Sequence, residues 1–193
     1  MGLTTIKYKQ TEVGLIPEDW ETKALGQLAK IIGGGTPKTN EKEYWDGNIS
    51  WFTPTEVGKQ KYLITSNRKI TPEGLQSSSA QILPIGTILL TSRAGIGDLG
   101  ILKKEAATNQ GFQSLLVYGE YDNEYVYYLL STLKPKLLSR ASGSTFLEIS
   151  PSNVKGIRVG IPSTLNEQKA IAQVLSDVDA LIKALEKKIA KKK

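Results

Sequence analysis

Thr164-Leu165-Asn166-Glu167-Gln168-Lys169-Ala170-Ile171-Ala172-Gln173-Val174-Leu175-Ser176-Asp177-Val178-Asp179-Ala180-Leu181-Ile182-Lys183-Ala184-Leu185-Glu186-Lys187-Lys188-Ile189 is the stretch that decides the architecture. Ile171, Val174, Leu175, Val178, Leu181, Ile182, Leu185 and Ile189 recur at spacings of 3, 1, 3, 3, 1, 3 and 4, the signature of one helix face. Pro162 ends the preceding strand, Thr164 is placed to cap, and Glu167 is placed to reach back in a capping box. No proline or glycine follows, so residues 167–193 predict a helix of roughly 40 Å at ~1.5 Å per residue. The stripe fills heptad positions a, d and e, a width suited to a broad antiparallel pair or bundle rather than a narrow two-stranded seam. Such a helix either packs on its own domain or projects. Its terminal place and lysine-rich end favour projection and pairing, which divides the chain into a body, residues 1–162, and a helix, residues 163–193.

The body reads as α+β. Short apolar runs at residues 49–53, 87–92, 100–103, 114–118 and 157–161 predict strands, and residues 122–138 carry a helical repeat. Residues 71–79 read as a short capped helix and loop, and residues 21–33 as strand or short helix. Pro17 fixes a turn before Trp20, which reads as a core anchor. Strands and helices mix without regular alternation, so a doubly wound sheet is not expected.

Composition removes many chemistries. The 193 residues contain no cysteine and no histidine, which excludes thiolate nucleophiles, disulfides, His-based triads and Cys/His metal sites. No catalytic residues, metal site or cofactor are expected. No apolar run approaches the ~20 residues of a membrane span, and residues 1–10 lack the apolar core of a signal peptide; a cytoplasmic protein is expected. Net charge is +6, but residues 183–193 alone hold six lysines against Glu186, which leaves the body near neutral. Any DNA-binding face in the body must therefore come from segregated charge. The lysine end suits a helix C-terminus in water as well as phosphate contact.

Two glycine-rich motifs fail their own criteria. In Gly33-Gly34-Gly35-Thr36-Pro37-Lys38-Thr39, a proline stands where a phosphate loop needs glycine. Gly95-Ile96-Gly97-Asp98-Leu99-Gly100 matches a dinucleotide fingerprint in letters, yet a strand rather than a helix follows it. What remains is a set of donor-rich loops: Thr36, Lys38, Thr39 and Asn40; Ser92 and Arg93; Asn109, Gln110 and Gln113; and Arg140, Ser142, Ser144 and Thr145. Asn and Gln pair with adenine, Arg with guanine, and Ser and Thr with bases or phosphates, so these residues on glycine-hinged loops suit groove readout. The same letters are also ordinary turn chemistry.

The order of the pieces carries a resemblance. Gly14-Leu15-Ile16-Pro17-Glu18-Asp19-Trp20-Glu21, Gly34-Gly35-Thr36-Pro37, Tyr44-Trp45-Asp46-Gly47-Asn48-Ile49-Ser50-Trp51, Ser77-Ser78-Ser79-Ala80 and Leu83-Pro84-Ile85-Gly86-Thr87 are followed by Thr91-Ser92-Arg93-Ala94, Thr108-Asn109-Gln110-Gly111-Phe112, Ser142-Gly143-Ser144-Thr145-Phe146 and Glu167-Gln168-Lys169-Ala170-Ile171-Ala172. Together they resemble the specificity subunit of type I restriction–modification systems: one target-recognition domain and the helix after it. The resemblance implies a subunit without catalysis that reads one half of a bipartite site in double-stranded DNA. It also implies recruitment of a methyltransferase subunit and a restriction/translocase subunit. A full subunit of this family has two recognition domains and two helices packed antiparallel as a spacer. One of each here implies a half-subunit or a truncated chain, whose helix takes a second copy or another recognition domain. The alternative function is a protein–protein interaction module with no DNA contact of its own.

Overall fold

The computed structural model describes residues 7–143 and 147–191. Its central sheet has five strands in the order β4 (Ala29–Gly33), β11 (Gln113–Val117), β8 (Ile88–Leu90), β9 (Leu99–Leu102) and β6 (Tyr62–Leu63). Neighbours are antiparallel except β6 and β9. The run Ile88-Leu89-Leu90 is wholly apolar because both faces of this sheet are covered. Ile88 and Leu90 point into one core and Leu89 into another, as the two-residue period of a strand requires. The larger core lies under α1 (Leu25–Leu28), α3 (Asn123–Ser131), α4 (Lys134–Ser139) and α5 (Pro151–Lys155), which supply Leu28, Val126, Leu130, Leu137 and Val154. The second core gathers Ile32, Phe52, Leu63, Leu102 and Phe112 on the opposite face.

A second sheet stands beyond that opposite face. Its order is β10 (Ala107–Thr108), β5 (Trp45–Phe52) and β7 (Arg68–Ile70), with α2 (Pro72–Gln76) packed near it. Trp45, Trp51, Ile70, Ala80 and Ala107 form its own small core. The register of β5 against Ile70 slips between Trp45 and Ile49, beside Asp46 at φ +59°. Two ribbons complete the body: β1 (Tyr8–Thr11) with β2 (Gly14–Pro17), and β3 (Glu21–Ala24) with β12 (Arg158–Ile161).

The α+β reading holds, with several local differences. The helix expected over residues 122–138 is two helices broken around Leu133. Pro135 has no amide to donate and its ring would strike the carbonyl of residue 131 in a continuous helix. Residues 21–33 are strand, one helical turn and strand. The polar stretch after residue 53 contains β6 and β7, both too short to show periodicity. α5 is an element that no periodicity in the sequence marks; Ser150 caps it and Pro151 opens it. The glycines between Ala94 and Gly100 are turn residues leading into β9, as expected.

The last helix, α6 (Leu165–Ala190), is 26 residues long. Thr164 caps it by accepting the Glu167 amide at 3.2 Å. Glu167 does not reach back; its Oε1 accepts the Trp20 indole N–H at 2.9 Å, so Trp20 is half-buried as a tie between arm and helix rather than a core anchor. Gln168 and Ala172 are buried against the body, and Gln168 Oε1 accepts the Asp122 amide at 2.9 Å. From Ala180 to Lys191 every residue is exposed. Val174, Leu175, Val178, Leu181, Ile182, Leu185 and Ile189 lie uncovered, while Ile171 packs partly on the larger core. The helix projects. Among the described residues no helix is long and apolar enough to cross a membrane.

Candidate nucleic-acid interface

The Gly33–Asn40 segment has few side chains of its own to hold it, so its backbone is pinned by others. The Gly35 amide donates to the Thr108 carbonyl at 2.9 Å. The Trp51 indole donates to the Gly35 carbonyl at 2.9 Å and the Trp45 indole to the Lys38 carbonyl at 3.1 Å. The Thr36 hydroxyl donates to Gln110 Oε1. Two tryptophans of β5 thus fix one loop against the end of β10. Thr36, Lys38, Thr39, Asn40 and Gln110 are all exposed on the result.

Sheet topology extends this surface to a residue that the sequence reading missed. β10 runs parallel to β5 and β7 runs antiparallel, with Trp51 opposite both Ala107 and Arg68. The end of β10, the end of β5 and the start of β7 therefore share one edge. Arg68 lies there, exposed, with its guanidinium 3.6 Å from the Trp45 ring centroid and 5.5 Å from that of Trp51. Stacking holds the planar fork in place and leaves its N–H edge in water. Arg68 enters none of the ion pairs among the described residues. The only sequence signal was an arginine–lysine pair in a stretch rich in polar residues; the stacking partner lies 23 positions away.

The other candidates separate into distinct environments. Arg93 lies 3.9 Å from Glu148 at the edge of an apolar cavity of about 710 Å³ bounded by Ile96, Leu138 and Leu147. Ser142 pairs with Glu148 in an isolated antiparallel bridge and is exposed. The Ser92 amide donates to the Gly111 carbonyl at 2.8 Å, so this second group adjoins the Gln110 loop through the backbone. Arg140 is exposed, but its guanidinium lies beside Gly156 at the end of α5. Asn109 spends its Oδ1 on the Gly111 amide at 2.8 Å, a local turn.

Two candidates do not reach the surface. Ser92 is fully enclosed and Gln113 is 6 % exposed, and neither Ser92 Oγ nor Gln113 Oε1 has a hydrogen-bond partner among the described residues. Gln113 opens β11 and Ser92 lies just beyond β8, both beneath the layers that cover the sheet, so polar identity did not imply exposure. Ser144 and Thr145 lie outside the described residues.

What the arrangement offers is a set of fixed donors and acceptors with two cations, Lys38 and Arg68, on a rigid sheet edge. That suits reading an anionic, hydrogen-bonding surface. Residues 17–192 match the family model described as type I restriction modification DNA specificity domain. The chain is 41 % identical over 180 residues to the type I restriction enzyme MjaIX specificity subunit of Methanocaldococcus jannaschii, covering 91 % of this chain and 41 % of the relative. It is 27 % identical to the EcoR124I/EcoR124II specificity subunit of Escherichia coli, covering 93 % and 44 %. The chain spans about two-fifths of the length of these curated relatives. The HsdS subunit from Thermoanaerobacter tengcongensis superimposes with a TM-score of 0.71 at 17 % identity, over 93 % of this chain and 42 % of that one, a likeness of fold. The chain belongs to the type I restriction modification DNA specificity domain family.

Proposed function

We propose that this chain is a DNA-recognition component of a type I restriction–modification complex, reading one half-site of a bipartite sequence through the edge formed by Thr36, Lys38, Thr39, Asn40, Arg68 and Gln110. The observation that carries this is the pinned, donor-rich loop beside a tryptophan-stacked arginine. Arg93, Ser142 and Arg140 flank it as a second group of contacts. The component is non-catalytic: it positions a methyltransferase subunit and a restriction/translocase subunit, which act on the DNA, in the cytoplasm. Its helix α6 pairs antiparallel with a second copy or with another recognition domain, so that two half-sites stand at opposite ends of a spacer.

Three outcomes are expected. Incubated with duplex DNA, S-adenosylmethionine, ATP and magnesium, the purified chain leaves DNA uncut and unmethylated; methyl transfer by it alone contradicts the reading. Arg68→Ala or Gln110→Ala costs about 1–3 kcal/mol against the preferred duplex, relaxes one base position, and leaves binding to random DNA nearly unchanged. Lys187→Ala with Lys188→Ala, in contrast, lowers binding to all duplexes alike and flattens its salt dependence. Quantitative binding to a panel of single-base variants checks both. A profile unchanged by Arg68→Ala and Gln110→Ala refutes this face and favours an interaction module without DNA contact.

A further inference from the structure

Lys61 precedes β6 and is 8 % exposed. Its ammonium lies 2.5 Å from Glu124 Oε2 of α3 and donates to Tyr128 Oη at 3.0 Å. The rings of Tyr128, Tyr127 and Tyr62 surround it at 4.1, 5.2 and 5.4 Å from their centroids. Burial by itself pulls the ammonium down. The bonds to Glu124 and Tyr128 outweigh that and hold it charged above the ordinary lysine range. The Tyr128 hydroxyl, having accepted from Lys61, donates to Asp179 Oδ2 at 2.8 Å, and Asp179 belongs to α6. A buried cation, a phenol and a carboxylate thus run in series from the body to the projecting helix.

The recognition edge has no use for this series, and core packing does not account for it. Along Lys169–Ser176 of α6, on the way to Asp179, a polar cleft of about 380 Å³ opens beside the start of α3, lined also by Tyr62, Asp122 and Glu124. Apolar contact fixes the helix near Ile171 and Ala172 but not beyond. The geometry of a lever then decides how much the Tyr128–Asp179 bond matters. At ~1.5 Å per residue, anchors at 167–172 give a baseline of about 7.5 Å for a tip about 27 Å further on. An added anchor at 179 lengthens the baseline to about 18 Å and shortens the free arm to about 16 Å. The same slack at the anchors then swings the tip about four times less.

We propose that Lys61, acting through Tyr128 on Asp179, is a positioning residue that fixes the direction in which α6 leaves the body, and so fixes the separation at which paired recognition domains read their half-sites. The first half stands on the geometry alone; the second rests on the proposed function.

The chain has no cysteine, so Lys104→Cys with Lys187→Cys gives two unique spin-label positions, one on the body and one near the helix tip. Double electron–electron resonance, with the labelled chain diluted in excess unlabelled chain, reads the distance between them. We expect a narrow distribution in the parent, at least a doubling of its width in Tyr128→Phe and in Lys61→Met, and a parent-like width in Asp179→Asn, which still accepts from the phenol. Tyr128→Phe keeps the ring and serves should Lys61→Met fail to fold. Selection from random duplexes then shows the same half-sites with broadened spacing for Tyr128→Phe. Unchanged distances in Tyr128→Phe overturn the proposal whatever the DNA result. Broadened distances with unbroadened half-site spacing overturn its second half. Broadened distances in a chain whose parent selects no duplex leave the joint standing and remove the DNA reading instead.

Discussion

With α6 paired as proposed, Val178→Glu and Leu185→Glu are each expected to leave the chain monomeric. Both residues sit mid-stripe on α6, at 47 % and 49 % exposure, within a row of seven uncovered apolar residues. Covering a solvated helix face of this kind is favourable, and in the proposed pair an identical face would supply the cover through a two-fold axis. At about 25 cal/mol per Å², mutual burial of two such stripes contributes several kcal/mol, from which the cost of association is subtracted. An antiparallel arrangement sets opposed helix dipoles side by side and keeps the lysine-rich ends apart; a parallel one places two segments of net charge +5 together. Glutamate at either position puts a carboxylate into the seam, with a loss large enough to abolish pairing at micromolar concentration. Sedimentation velocity checks it. Parent and variants alike monomeric at tens of micromolar would contradict the pairing.

Gly34→Ala abolishes selective DNA binding while the fold survives. A Cβ at Gly34 would lie 2.1 Å from the Asn109 carbonyl oxygen and 2.3 Å from that of Thr108. Both obstacles are backbone, so the loop must move away, taking the Gly35–Thr108 and Thr36–Gln110 hydrogen bonds with it. The strain costs about 1–3 kcal/mol of stability, visible as a lowered melting temperature. Affinity for the preferred duplex falls to the non-specific level. Gly33→Ala is the control: nothing lies within 4 Å of its Cβ position, and both stability and selectivity stay near the parent values. Equal effects of the two substitutions would show that the close approach at Gly34 is irrelevant to recognition.

The parts of this architecture legible in the sequence are those with local causes. The α6 stripe, its Thr164 cap and the double-faced strand at 88–90 follow from spacing and burial period within a few residues. The break in the 122–138 helix was also local, since Pro135 stood in view, but the surrounding apolar repeat outweighed it. Other features depend on long-range partners. Arg68 gains its role from Trp45, and Lys61 from Glu124 and Tyr128; one-dimensional spacing carries no trace of such meetings. Ser92 and Gln113 failed in the opposite sense, because a polar residue at the end of a strand reads as exposed until the covering layer is known. Residues 36–40 and Gln110 are legible in the sequence only as separate donor-rich loops; the Gly35–Thr108 and Thr36–Gln110 hydrogen bonds, with the two indole bonds that hold the loop, bring them together.

The central proposal is that this chain reads duplex DNA by itself, through its own body, with its helix setting the spacing. Selection of binders from a random duplex library by the purified chain, without metal, nucleotide or partner subunits, tests that most directly. The predicted result is enrichment of one half-site in inverted copies at a fixed separation, reduced to single unpaired half-sites by Leu185→Glu. A parent chain that enriches no sequence over the starting library would contradict it.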